Sequence, residues 1–368
     1  MFFIEAIYLD DDKELREKIL NSLKLQGFNI NSSLEPIDNE KCTLKKIHLI
    51  KRREQLLLHK KFLSDNFCTV REHVVSGKNL EPAKIQLNLI EVKPNSYYSK
   101  LFFWWNLFWW SIPYDKPIGR LMNFILWDEY HQAPFGLFSL QSPQLRSSIR
   151  DNFLDLNSEN SNYWINQSLH GQRIGALPPY NDLLGGKMVA LAMVSNEVRK
   201  LYESKYENKK TILKKRYLPN RLLFITTTSA YGKSSVYERI NYGGKKVGQF
   251  IGYTSGAGTF HLSEDLYMEC LKYLERNGVN IKRGYGTGTS RKLRLNIEMA
   301  LRNLKIRKCT YHNIKRGYYL FENTENLNEV IHEGQEPIWF NRPFNEIRQF
   351  WLNRWCIPRS RRHYLDFQ

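Results

Sequence analysis

Two strand-like runs each pass through a polar loop into a Gly-Lys that opens a helix: "ALPPYNDLLGGKM" (176–188) and "ITTTSAYGKSS" (225–235). Placed in series after an apolar hairpin, these junctions commit the chain to a sheet flanked by helices. Amides at a helix N-terminus, with the positive end of its dipole and a neighbouring lysine, suit a phosphate or pyrophosphate. Glycine keeps side chains out of such a ligand's path, and Pro178 and Pro179 stop a neighbouring strand from pairing there, which splays the sheet. The candidate anion-binding residues are therefore Asn181, Gly185, Gly186 and Lys187 at the first junction, and Ser229, Gly232, Lys233, Ser234 and Ser235 at the second. The alternative is that Gly185 and Gly186 only let a helix pack closely on the sheet.

The second junction ends like a P-loop, and "ILWDEYH" (125–131) resembles the acidic box of an NTP-driven helicase. A complete P-loop needs a glycine five residues before Gly232, so that backbone amides can wrap the phosphates, and that position is Thr227. The acidic box also precedes the Gly-Lys-Ser turn, whereas in motors it follows. The motor reading fails. Asp128 and Glu129 then sit in the polar turn of a hairpin with strands over 121–127 and 135–140.

Lys and Arg number 55 against 37 acids, a formal charge of +18 that favours polyanionic partners. Residues 199–250 hold 13 Lys or Arg against 3 acids and include "KKTILKKRY" (209–217). The tail sets Trp351, Trp355 and Tyr364 among Arg354, Arg359, Arg361 and Arg362. Lys209, Lys210, Lys214, Lys215 and Arg216, with those four tail arginines, are the candidate nucleic-acid contacts: cations for phosphates, aromatics for bases. The tail aromatics serve equally to staple the tail to the core. Five scattered cysteines without a Cys-x-x-Cys pair suggest neither disulfides nor a zinc ribbon, and fit a reducing cytoplasm. The apolar run "LFFWWNLFWWSI" (101–112) is shorter than the roughly 20 residues a membrane-spanning helix needs, so it reads as core or docking face.

Three regions are expected: a helical, basic N-terminal region (1–99), an α/β core (100–262), and a helical C-terminal extension with the basic-aromatic tail (263–368). Within the core, 182–206 reads as one long helix, 232–240 as a shorter helix, and 246–254 and 258–262 as strands. A strand is expected at 317–323.

Hairpin, strand, long helix, strand, short helix and final strands is the element order of the GCN5-related acyltransferase fold, so the expected class is α+β with such a mixed sheet. That resemblance implies a pyrophosphate cradle for acyl-coenzyme A at the first junction. The chain has Asn181-Asp182-Leu183-Leu184-Gly185-Gly186 in place of the fold's usual signature there, and spells Arg-x-x-Gly-x-Gly only at 283–288. Acyl-coenzyme A is accordingly a conditional cofactor, and no other cofactor or metal is expected. Tyr237 matches the tyrosine that such enzymes use as general acid, or else is a buried structural tyrosine. Asp128, Glu129 and Asp151 are the candidate bases, or ligands for Mg²⁺ in a nuclease.

The stretches "PIGRLMNFILWDEYHQAPFGLFSLQSPQ", "PPYNDLLGGKMVALAM", "ITTTSAYGKSSVYERI", "FIGYTSGAGTFHL" and "GTGTSRKLRLNIEMALRNLKI" resemble the Druantia anti-phage system protein DruA family over about residues 100 to 320. Thr254, Gly258 and Phe260 join the junction residues among the matching positions. The resemblance implies a cytoplasmic component of a multi-gene antiviral defence system that includes a helicase-like protein. Three activities follow for testing: a nucleic-acid- or partner-binding subunit without chemistry, an acyl-coenzyme-A-dependent N- or O-acyltransferase, and a nuclease.

Overall fold

The computed structural model describes residues 2–362 apart from 31–32, 111, 114–116, 118, 158, 212–214, 282–290 and 307–308, with the side chains of 2–10 and 291–294 also left aside. The strands in chain order are β1 (Phe28–Ile30), β2 (Leu34–Pro36), β3 (Leu87–Glu91), β4 (Leu121–Asp128), β5 (Ala133–Gln141) and β6 (Ser168–Ala176). They continue with β7 (Phe224–Thr228), β8 (Asn241–Tyr242), β9 (Lys245–Lys246), β10 (Gly248–Tyr253) and β11 (Gly317–Glu322). Seven of them form one sheet in the order β10-β11-β7-β6-β5-β4-β3. Every neighbouring pair is antiparallel except β6 and β7.

The expected hairpin is β4–β5, and its alternation explains its burial. Phe124, Leu126, Phe138 and Leu140 point to one face, while Ile125, Trp127 and Leu137 point to the other, and both faces are covered. The first face carries the helices Gly185–Ala192, Asn196–Tyr206 and Phe344–Trp351. The apolar run forms the helix Tyr97–Trp109 against the second face, with Leu101, Phe102 and Trp104 buried. It is core. A separate apolar cluster joins Leu15, Ile19, Leu23 and Ile47 from the N-terminal helices to the helices Glu264–Arg276 and Arg291–Asn303.

The single parallel pair is short. β6 and β7 pair from Ser168↔Phe224 to Gly171↔Thr227, after which β6 runs on to Ala176 paired only with β5. A bulge falls there: Leu137 faces Gly175 and Ser139 faces Gln172, with Arg173 at φ 57°. Ile174 and Met193 close over Gly171, where a Cβ would meet them at 2.8 and 2.9 Å.

Several expected elements differ. Residues 182–206 form two helices: Leu184 at φ 59° starts the first, and Ser195 accepts from the Val198 N–H at 3.4 Å to cap the second. The helix after the second junction covers only Ser235–Glu238. Residues 258–262 form no strand: Gly256 and Gly258 hold positive φ, and only Ala257, just before the segment, makes a bridge there, with Tyr311. The sheet also reaches beyond 100–262 at both ends, through β3 and β11. No described helix is long and apolar enough to cross a membrane.

Candidate functional site

The two Gly-Lys junctions are neighbours in space. A Cβ on Gly186 would lie 3.9 Å from the Val236 methyls, so the helix openings touch. Gly185 is closed by its surroundings: a Cβ there would meet the Tyr180 carbonyl at 2.6 Å, Ala176 Cβ at 2.7 Å and the Phe135 ring at 2.9 Å. Asn181 is exposed, its N–H donating to Leu177 O at 3.1 Å. Lys187 Nζ donates to Arg239 O at 3.1 Å and lies 4.6 Å over the Trp355 ring. Burial, then Arg239 and Arg354, hold its ammonium below the usual lysine range.

At the second junction the turn binds itself. Gly232 (φ 51°) donates its N–H to Lys315 O at 3.2 Å, and the Ser234 N–H donates to the Tyr319 hydroxyl at 2.7 Å. Ser229 Oγ donates to Gly232 O and accepts from the Gly317 N–H. Ser234 Oγ caps the helix that Ser235 begins, accepting from the Tyr237 N–H at 3.4 Å. Lys233 pairs with Glu238 at 3.6 Å and covers the Phe250 ring at 4.3 Å. The turn amides of Gly232 and Ser234 are thus already spent. Tyr237 is buried between Tyr319 and Phe321, with Thr227 beside it at the β6–β7 parting, and burial raises its phenol well above its ordinary range.

The carboxylates are equally engaged. Asp128 is fully buried and accepts from the Gln86 N–H (3.0 Å), the Tyr130 N–H (3.2 Å), His131 Nδ1 (2.6 Å) and the Tyr180 hydroxyl (2.9 Å). His131 Nε2 accepts from the Glu81 N–H at 3.0 Å, which leaves Nδ1 as the donor to Asp128. Four donors fill the lone-pair sites of one carboxylate. The network ties the hairpin turn to the corner after β6. Glu129 accepts from Asn88 Nδ2 at 3.2 Å, and Asp151 accepts from Arg150 and from the Ser147 N–H. Among the described residues no group of three His, Cys, Asp or Glu is placed to hold a metal.

The basic residues fall at two ends of the sheet. Lys209, Lys210, Lys215 and Arg216 are exposed on the loop that enters β7 at its start, with Lys210 5.1 Å over the Tyr217 ring; Lys214 lies outside the described residues. At the opposite end, where β6 and β7 finish, the tail meets the first junction: Arg354 joins Lys187, and Arg359 Nε donates to Asp182 O at 3.2 Å. Arg361 and Arg362 follow, exposed. Trp351 is fully buried against Phe135, so the tail is stapled to the core, while Phe350 packs against Tyr242 and Trp355 at 5.1 Å each. Sequence reasoning missed Arg239, Tyr242 and Phe350, which join this margin only through the fold.

The fold and this margin define an α+β protein with one mixed sheet and a cation- and aromatic-rich edge at the strand ends. The chain belongs to the DruA family: the family model described as Druantia protein DruA matches residues 38–333. A relative, Druantia protein DruA of Escherichia coli (strain UMEA 4076-1), is 30% identical over 359 residues, covering 96% of this chain and 88% of the relative. No solved structure matches. Family membership implies a component of a Druantia anti-phage defence system.

Proposed function

We propose that the chain is the nucleic-acid-binding subunit of its Druantia system, acting alongside a helicase-like component. The observation that carries this is the convergence of Lys187, Arg239, Arg354 and Arg359 beside the aromatic group Tyr242, Phe350 and Trp355. Cations spaced along an aromatic wall suit a single strand, whose phosphates pair while its bases stack. An open groove lined by Glu346, Gln349, Phe350, Asn353 and Arg354 borders the margin. In a salt titration of oligonucleotide binding, wild type should lose affinity steeply, and the double variant Lys187→Glu/Arg354→Glu should flatten the log–log slope by about 0.7 per lost phosphate contact. Lys209→Glu/Lys210→Glu, at the other end of the sheet, should change little. Loss of binding in that second variant alone would move the contact to the loop, and weak, salt-independent binding by wild type would end the proposal.

The second reading is an acyltransferase, and a specific observation favours it. Three antiparallel strands, β3 to β5, lead to a parallel pair, β6 and β7, that parts after four residues beside a bulge, with Tyr237 at the parting. This arrangement supports the acyltransferase-like fold, in which a coenzyme enters between the two strands. On this reading millimolar acyl-coenzyme A raises Tm, and Gly186→Glu abolishes the rise. An unchanged Tm in wild type removes the reading.

A further inference from the structure

Four segments distant in sequence close around Arg316. His48 and Arg52 stand on one face of the helix Lys41–Leu58. Tyr231 comes from the turn after β7, Phe260 from the loop after β10, and His312 and Arg316 from the segment entering β11. The His48 ring stacks on Phe260 at 4.5 Å, Tyr231 meets the His48 ring at 5.7 Å, and Phe260 meets His312 at 4.9 Å. Arg316 is pinned by its backbone: its N–H donates to Thr254 Oγ1 at 3.1 Å, and its carbonyl accepts from the Thr254 N–H at 2.9 Å.

The imidazoles here are neutral spacers. Arg316 Nη2 donates to His48 Nε2 at 2.9 Å, so Nδ1 carries the hydrogen and donates it to Leu44 O at 2.7 Å. His312 Nδ1 accepts from the Ile314 N–H at 3.1 Å. Burial, with Arg316 nearby, pushes both rings down to about 3. Neither ring can balance the guanidiniums, and neither adds charge of its own.

Among the described residues no carboxylate compensates the two guanidiniums, and only Tyr231 opposes the effect of their burial. Arg52 gives Nη2 to the Phe108 carbonyl at 2.9 Å, while the Nε of Arg52 and the Nε of Arg316 are buried with no hydrogen-bond partner among the described residues. Burial lowers both, and no described carboxylate acts on either. A buried cation is ordinarily paired, because an isolated charge out of water is costly, and arginine does not escape by losing its proton. Both residues also keep part of their surface exposed, which leaves a way in.

We propose that the Arg52–Arg316 pocket binds a phosphate-type oxyanion, which takes hydrogen bonds from the two buried Nε–H groups. Two guanidiniums that share His48 and Tyr231 as neighbours, with no described carboxylate acting on either, match a doubly charged oxyanion, and the guanidinium fork fits its geometry. The pocket shares no residue with the Lys187 margin, so either site can fail without the other.

The test is a thermal melt of the full chain in phosphate against chloride at equal ionic strength, with isothermal titration of inorganic phosphate. Wild type should gain several degrees in phosphate and bind it. Arg52→Gln, at a partly exposed position that should fold, should weaken binding about tenfold, the effect of losing one charge-assisted hydrogen bond. Arg316→Met should lose the phosphate-dependent gain, read as the difference between its own melts in phosphate and in chloride, so that the cost of leaving His48 Nε2 without its donor cancels. Equal melting of wild type in both salts, or an unchanged phosphate response in Arg52→Gln, overturns the proposal. A nucleoside monophosphate in a parallel titration separates the sources: tighter binding than inorganic phosphate assigns the oxyanion to a nucleotide, and equal or weaker binding to the free ion.

Discussion

His48, His170, His261 and His312 are held neutral by burial, at about 3, 4, 4 and 3, against an ordinary 6.5. In the unfolded chain each takes up its proton as pH falls through the ordinary value; in the folded chain it does so only near its depressed value. The unfolded state therefore binds more protons throughout that interval, so stability is fully present above about pH 6.5 and drains as pH falls toward about 4. Each histidine contributes a slope approaching 1.4 kcal/mol per pH unit within the interval. Arg316 and Arg52 steepen the cost at His48 by opposing its protonation. Thermal melts across this range should show Tm falling from near neutral pH downward, and His312→Phe should fold with a shallower fall. A Tm that stays level between about pH 6.5 and 5 would show these rings to be solvated.

The elements that a sequence displays well are those whose pattern is local. The β4–β5 hairpin was legible because residues alternate between two apolar faces. The apolar run 101–112 reads from its shortness as core or docking face, and the structure decides between them by burying Leu101, Phe102 and Trp104 of the helix Tyr97–Trp109. What was lost depended on single backbone angles: Leu184 at φ 59° and the positive φ of Gly256 and Gly258 interrupt segments that periodicity joins. The break before Asn196 did leave a signal, since Ser195 followed by Glu197 is a helix-start pattern. Phe344, Ile347 and Trp351, spaced three and four apart, likewise mark the tail's buried stripe. The two Gly-Lys junctions lie close together through Gly186 and Val236, but the second helix opens only at Ser235, and side chains and turn carbonyls already occupy much of their surroundings. The cations that gather around Lys187 come from residues 239, 354 and 359, and only tertiary packing brings them there. Arg52 and Arg316 went unnoticed for the same reason.

On the scale of the molecule, most of the apolar clusters gather around the sheet, and a separate one is built mainly from helices. The separate cluster joins the N-terminal helices to the segment between β10 and β11: Leu15, Ile19 and Leu23, four residues apart on one stripe, and Ile47 pack with Leu266, Cys270, Tyr273 and Leu274 and with Ile297 and Leu301. The N-terminal helices are thus half of a core whose other half lies some 200 residues later. They are not an appended arm. Removing residues 1–58 strips one side from the helices Glu264–Arg276 and Arg291–Asn303, leaving a contiguous apolar patch of the kind that drives association. It also removes His48 and Arg52, so the pocket around Arg316 opens to solvent. The sheet keeps its strands and both covering layers. Hydrogen exchange on the shortened chain should therefore show Glu264–Arg276 losing protection while β4 and β5 retain theirs, because local stability follows the contacts that each unit keeps. Unaltered protection of Glu264–Arg276 would mean that the C-terminal helices hold their own core, and that the N-terminal helices only rest upon it.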